Sequence, residues 1–438
     1  MRNGLLATLP GLLLGASLAF GQPSQGTAPE EPHPQSEAMP APADAATPAP
    51  DPSSPGFLDG LTSHFDGTCG PTRGGVFSAD VEYLWWVLRN AKVPVALAST
   101  NALGVTGSET LIGEHDLRYD HRPSSGFRVS LAYWREDPVP ELDWDRPRTV
   151  GVEANYFFLG ERGISMPNDT APTIIRPFFA LNTRSESGSV VAAPGIATGG
   201  ITATANYGLW GTELNFLKNI YYEYPGKTVR LDFFAGFRYL DLGEDLSVTG
   251  LSVYTQQPGG VFQQFAGNQL LQNDLFSTRD QFYGGQIGAT AKFFLEILDV
   301  NVSGKVAFGG TAEELHIDGF QMRTLANGTV VPSTGGLLAL PSNIGRYHRG
   351  DFAVVPEFDI SGSYVICRHV SLTAGYQFMF WSKVLRPADQ IDRVIDVTQI
   401  PNFPITGIAP TGQARPSVPF HETQFWAQGV NVALQIVW

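Results

Sequence analysis

Charge is what this sequence has least of. Asp, Glu, Lys and Arg make up 16% of its 438 residues, where an ordinary globular domain carries about 25%. Basic residues are the scarcer half, and 28 Lys and Arg against 42 Asp and Glu leave a net charge of -14. Nucleic acid is therefore excluded as a partner, because holding phosphates needs a basic surface. Long apolar runs are missing too. Beyond the N-terminus no stretch reaches the roughly 18 to 20 uninterrupted apolar residues of a spanning helix, so the 43% hydrophobic content does not make a helical membrane protein. Cysteine is almost absent: Cys69 and Cys367 are too few for a disulfide scaffold and too far apart for a zinc ribbon. What is plentiful is glycine, at 48 residues, and aromatics, at 8 Trp, 14 Tyr and 28 Phe. That balance reads as extensive β-structure.

The N-terminus reads as an export signal over residues 1–21. Arg2 supplies the basic start, Leu5 to Phe20 the apolar core, and Ala19-Phe20-Gly21 the small-x-small cleavage pattern. Residues 22–58 follow as a linker rich in Pro and Ala, with Glu30, Glu31, Glu37, Asp44 and Asp51 and no Lys or Arg. Such a segment buries too little apolar surface to offset its ordering entropy, and proline keeps it extended.

From residue 76 the dominant signal is period two. Phe77, Ala79, Val81, Tyr83, Trp85 and Val87 form one apolar face, while Ser78, Asp80 and Glu82 occupy the other. The same alternation runs through Phe127–Tyr133, Val150–Phe158, Val229–Tyr239, Val300–Phe308 and Val370–Phe380. Alternation alone means a half-buried strand, and a soluble sandwich would show it with the apolar side inward. Three features favour apolar side outward. Many patterns run ten residues or more, the length that crosses a bilayer as a tilted strand. Aromatics cluster at strand ends, as in Trp85-Trp86, Tyr133-Trp134, Tyr156-Phe157-Phe158, Tyr221-Tyr222, Phe380-Trp381 and Phe425-Trp426, which suits a membrane–water boundary. Connections also alternate in length. With strands at 76–88, 126–135, 148–160, 202–217, 227–242, 277–291, 299–318, 350–365, 369–383 and 421–438, the segments 89–125, 161–201, 243–276, 319–349 and 384–420 are long, and the intervening ones are short.

The fold expected over 59–438 is therefore an all-β, antiparallel, up-and-down transmembrane barrel. Ten strands are expected within a range of eight to fourteen, with long extracellular loops, short periplasmic turns and both chain ends on the short-turn side. The last strand presents Val430, Val432, Leu434, Ile436 and Trp438 on one face and ends on the aromatic. In bacterial outer-membrane proteins such a strand resembles the signal read by the barrel-insertion machinery.

Several segments carry a family resemblance: Gly236-Phe237-Arg238-Tyr239-Leu240-Asp241-Leu242, Phe282 to Gly288, Gly304 to Gly309, Phe352 to Phe358, Gly375 to Trp381, Arg386-Pro387-Ala388-Asp389-Gln390-Ile391-Asp392 and Phe425 to Gly429. In this order, over roughly residues 74–438, they resemble the beta-barrel porins of planctomycete bacteria, the seventh such porin family. The resemblance implies an exported outer-membrane barrel in a Gram-negative-type envelope, with outer-membrane lipid and the insertion machinery as partners. It brings no cofactor and no catalytic or metal-binding residues.

The lumen-facing positions collect Asp80, Glu82, Arg128, Glu153, Glu213, Arg230, Asp232, Arg238, Lys305, Glu357 and Asp359. Seven acids against four bases give -3, and buried charges persist only when paired or hydrated. Two readings follow: a barrel plugged by its own ion pairs, or a narrow path for small solutes with a cation preference. Pro356 removes a ladder donor in mid-strand, so a bulge is expected there. Glu114, His115, Asp116, Asp120 and His121 in the first long loop suggest a rim protease or a metal site only weakly, since no partners or ligand spacing accompany them. His316 and Asp318 carry no functional weight. Cys69 and Cys367 both fall on the short-turn rim, which makes a disulfide between them an expectation. The long loops, rich in Gly, Ser, Thr, Asn and Pro, offer a separate surface for adhesion or recognition.

Overall fold

The computed structural model describes residues 75–89, 93, 95–113, 116, 123–135, 150–224, 227–255, 265–295, 297–367, 369–401 and 412–438. The proposed export signal and linker lie outside these residues, as does Cys69. Sixteen strands are present among them: β1 Val76–Leu88, β2 Ala98–Ser99, β3 Thr110–Ile112, β4 Ser124–Arg135, β5 Val150–Asn168, β6 Ile174–Ala180, β7 Ser185–Ala192, β8 Ala197–Tyr224, β9 Lys227–Tyr254, β10 Gln269–Phe294, β11 Asp299–Thr324, β12 Val330–Thr334, β13 Gly345–Cys367, β14 Val370–Leu385, β15 Val394–Ile395 and β16 Glu422–Val437. No helix among the described residues is long and apolar enough to cross a membrane. The crossing is left to strands.

Ten of them close on themselves in the order β1-β4-β5-β8-β9-β10-β11-β13-β14-β16, every neighbour antiparallel. Closure is made by β1 against β16, from Ser78 opposite Val437 to Leu88 opposite Ala427. A closed barrel leaves no unpaired edge facing lipid, which is the condition for a sheet to span a bilayer.

The strands are longer than the sequence suggests, and most of the excess lies at the long-loop end. The reason is a change of phase. In β9, Val229, Leu231, Phe233, Ala235, Phe237 and Tyr239 point outward while Arg230, Asp232 and Arg238 point in. Past Tyr239 the inward positions become Leu240, Leu242, Leu246 and Val248, all buried, and the outward ones become Asp241, Asp245, Ser247 and Thr249. β8 does the same: Leu214 and Phe216 face out below, whereas Thr202, Thr204 and Asn206 face out above. Each hairpin is thus built for apolar surroundings in its lower half and for water in its upper half. Segments such as 243–276, expected as a loop, are mostly strand.

The upper part also has a sheet of its own. β6 pairs with β2, β7 and, in parallel, β15, and β2 pairs with β3. These strands and the upper barrel enclose one apolar cluster that includes Ile112, Ile174, Phe178, Val248, Phe276, Leu315, Leu338, Ile391 and Ile395. Within it, the buried Asp274 carboxylate accepts from the backbone N–H groups of Leu337, Leu338 and Ala339 at 2.8, 2.8 and 2.7 Å and pairs with Arg176. Gly336 lies so close to Asp274 that a Cβ there would collide with the carboxylate at 2.2 Å.

Pro356 does not make the expected bulge. Its register with Val306 of β11 is continuous. On the other side the β13–β14 ladder simply begins one residue later, at Glu357 opposite Met379, and has no pairs above it. The proline has no N–H to give, so it ends the pairing instead of distorting it. Above it the donors facing β14 are satisfied by side chains: Val354 N–H donates to Ser382 Oγ at 2.9 Å and Phe352 N–H to Asp351 Oδ1 at 2.7 Å. Lys383 joins the two edges through Asp351 at 2.7 Å. The wall therefore has a seam in its outer half.

Candidate functional site

The outward face of the lower barrel is an apolar band. Val81, Trp85, Val129, Leu131, Phe216, Ile287, Phe358, Val430, Val432, Leu434, Ile436 and Trp438 are all exposed on it, so the proposed insertion residues lie on this surface. Its upper limit is marked by aromatics that meet at a tilt across strands. Tyr156, Trp210 and Tyr239 form one such row, with ring centroids 6.0 and 5.1 Å apart. From Tyr239 to Val229 is ten residues, and tilted strands of that length span a band about 25 Å tall.

Inside this band is a polar chamber of about 590 Å3. Its lining reaches Ser78, Asp299, Cys367, His369 and Val437 at the strand ends, so its mouth is at the short-turn end, where Cys367 is exposed. Ten of the eleven charges read from sequence line it, and the eleventh, Arg238, is buried behind Glu213 and Glu357. At its inner end they form one network. Lys305 Nζ donates to Glu213 at 2.8 and 2.9 Å and lies 3.0 Å from Glu357. Arg238 pairs with Glu357 and lies 3.5 Å from Glu213. Arg128 pairs with Glu82 at 3.1 Å and donates to Gln377 at 2.8 Å. Three bases thus meet three acids.

Arg230 and Asp232 pair at 2.9 Å nearer the mouth. The remaining acids, Asp80, Glu153 and Asp359, have no ion pair among the described residues. Asp80 accepts from Gln435 at 3.3 Å and Glu153 from Asn215 at 3.1 Å. The surplus of three acids in the sequence is therefore these three. Sequence reading omitted Lys292 and Asp299, which pair at 3.5 Å on the rim of the same chamber. They sit at strand ends, where the alternation that selected the others runs out.

Above the network the chamber stops. Leu84, Trp86, Phe157, Leu209, Leu240, Phe282, Val355, Met379, Trp381 and Phe425 meet across the barrel, each at most 1% exposed. Trp381 donates to Thr311 at 3.0 Å and packs edge-on against Phe282 at 6.0 Å. The Arg128 guanidinium lies 5.6 Å from the centres of both the Trp86 and Phe157 rings, joining the layer to the charges beneath it. This layer corrects the sequence reading of the aromatic clusters. In Trp85-Trp86, Phe157-Phe158 and Phe380-Trp381 the two neighbours face opposite sides of the wall, because side chains alternate along a strand. Only one of each pair reaches the boundary; the other fills the interior.

The last long segment crosses over the layer. Arg386, buried, pairs with Glu244, and Asp280 accepts from Leu385 N–H at 2.9 Å. Asp392 accepts from Ser417 N–H at 2.8 Å, Val394 N–H at 2.9 Å and Arg415 at 2.8 Å. Burial alone would raise the Asp392 carboxyl, but these donors outweigh it and hold it below the usual carboxylate range. Burial raises neighbouring Asp389. Glu114, His115, Asp120 and His121 lie outside the described residues, and Asp116 serves a turn by accepting from Gly113 N–H at 2.8 Å. Among the described residues no group of three metal-binding side chains comes together.

A family model described as "Putative beta barrel porin-7 (BBP7)" matches residues 79–438. Among curated proteins there is no match. Solved structures resemble the chain distantly. The outer membrane protease OmpT from Escherichia coli is 9% identical over 85% of this chain and 99% of that one, with a TM-score of 0.40. The Pseudomonas putida (P. putida) toluene transporter TodX is 11% identical over 84% and 90%, at 0.18. The Ralstonia pickettii toluene transporter TbuX is 10% identical over 83% and 89%, at 0.15. At these values no activity passes from them to this chain. The family match spans most of the sequence, and the chain belongs to that porin family.

Proposed function

We propose that this member of the porin-7 family is a plugged outer-membrane barrel at rest, which holds an ordered head outside the bilayer and does not act as an open diffusion pore. The apolar layer of Trp86, Phe157, Phe282, Trp381 and Phe425 carries the reading, because an ion crossing it would lose its hydration with nothing polar to replace it. Ion pairs in the chamber support the layer from below, and residues 384–401 and 412–420 cover it from above. No enzymatic role is assigned to the chain.

A second reading keeps a transport role. Asp80, Glu153 and Asp359 leave the chamber with surplus negative charge, which favours small cations entering from the periplasm. Passage would then require the layer to move. Planar-bilayer recording separates the two. The plugged reading expects a silent wild-type barrel and a conducting, cation-selective double variant Phe282→Ala/Trp381→Ala. Steady wild-type conductance would overturn it. A head that serves recognition should also lose cell attachment, and not solute uptake, when residues 95–113 or 174–192 are deleted.

A further inference from the structure

On the outward face of the lower barrel two charged side chains lie together. Arg135 ends β4 and Lys218 lies on β8, both exposed. Arg135 is opposite Val150, and Val150 is opposite Lys218. All three are in one row across three strands, with neighbouring strands about 4.8 Å apart. Their Cα atoms therefore stand about 10 Å apart across a single valine, and two long side chains at that spacing can reach one group between them. Neither has an ion pair with another described residue. A bare cation on a lipid-facing surface is costly at mid-bilayer and tolerated near the headgroups, and both lie toward the short-turn end of their strands.

An apolar groove of about 970 Å3 starts beside them. Val150 and Lys218 line its near end, and Phe216 and Phe233 form its wall. Its floor is Ala235, Ala289 and Gly304, small residues that are brought side by side by the pairing of Ala289 with Gly304. A Cβ on Gly304 would meet nothing within 4 Å. The band is thus indented where the two cations stand and bulky around the indentation.

We infer that this is a binding site for one anionic phospholipid of the periplasmic leaflet. Arg135 and Lys218 hold the headgroup phosphate, and an acyl chain lies along the groove floor over Ala289 and Gly304. Charge selects the headgroup, since Arg and Lys meet a phosphate with charge-assisted hydrogen bonds. The indentation selects a chain over a bare surface.

The test is native mass spectrometry of the purified full-length barrel released from detergent micelles doped with phosphatidylglycerol or phosphatidylcholine of equal chain length. Wild type is expected to retain phosphatidylglycerol in preference, and Arg135→Gln and Lys218→Gln each to weaken that retention about fivefold. Gly304→Leu, which fills the floor and leaves both cations, is expected to lower retention of long-chain lipid while sparing a short-chain phosphatidylglycerol. Lys383→Gln, a cation outside the band, should change nothing. Equal retention of both headgroups by wild type would overturn the site, as would undiminished phosphatidylglycerol retention in both charge variants. Heat-shifted electrophoresis confirms that each variant is a closed barrel, and Gly304→Leu keeps the question open to an answer if a charge variant fails to insert.

Discussion

The lower and upper halves of this barrel are made from the same strands with opposite polarity. Along β9 and β10 the outward side chains are Phe233, Phe237 and Ile287 below the aromatic rows, and Asp241, Ser277 and Arg279 above them. Inward, Arg238 and Gln286 below give way to Leu246, Val248 and Phe276 above. Backbone pairing runs through the change without a shift of register in β8, β9 and β10. Hydrogen-bond topology is therefore indifferent to which side is apolar; the surroundings decide. Below, lipid covers the outside and the inside must be polar or paired. Above, water covers the outside, and apolar side chains go in.

This contrast can be broken most severely at the interior of each half. Trp381→Ala is expected to cost about 3–5 kcal/mol through the cavity it leaves, read as a lowered midpoint in urea-dependent electrophoretic mobility. Arg238→Met leaves Glu213 and Glu357 sharing Lys305 and should cost about 3–5 kcal/mol, whereas replacing all four by apolar residues of similar size should recover much of the loss. A recovered quadruple variant would mean that the lower interior needs balance and not charge as such. The outward face gives a smaller, sharper comparison on one strand. Ile287→Arg should cost about 2–4 kcal/mol, and Ser277→Arg, ten residues above it on the same face, no more than about 0.5 kcal/mol. Equal costs would remove the boundary from between them.

The smallest effect concerns the segment over the upper half. Asp392 has its folded carboxyl held below the ordinary range by its donors, so the stability it contributes is present above the unfolded value of about 3.9. It is lost as pH falls through the lower, folded value. Hydrogen exchange of residues 386–400 should accelerate in that acid window, and Asp392→Asn should reduce the pH dependence to the part carried by Asp396, which Thr398 and Asn182 hold low, at a cost of about 1 kcal/mol or more. Exchange that rose with increasing pH beyond the intrinsic chemical rate would contradict the sign.

Ten strands and their outward faces were legible because lipid imposes one rule on all of them, with Val430 to Trp438 and Phe127 to Tyr133 obeying it without exception. The lumen charges were legible for the same reason, since they occupy the alternate positions. What escaped reading was the inversion. A search for apolar-outward alternation ends where Tyr239 is followed by Leu240 and then Leu242, because two apolar faces meet there. The upper halves of β8 to β11 then pass for loops. The interior layer was hidden in aromatic pairs such as Phe380-Trp381, whose members look equivalent in a sequence and face opposite solvents in the wall.

The absent pairs between β13 and β14 give the molecule a mechanical asymmetry. Below Pro356 a parting of β13 from β14 must break backbone bonds at each paired step, but above it the line is spanned by side chains, through Ser382 and the pairs Asp351–Lys383 and Arg349–Glu422. Under lateral tension or thermal breathing, the cylinder should yield along that line first, as a collar opens at its button and not through its cloth.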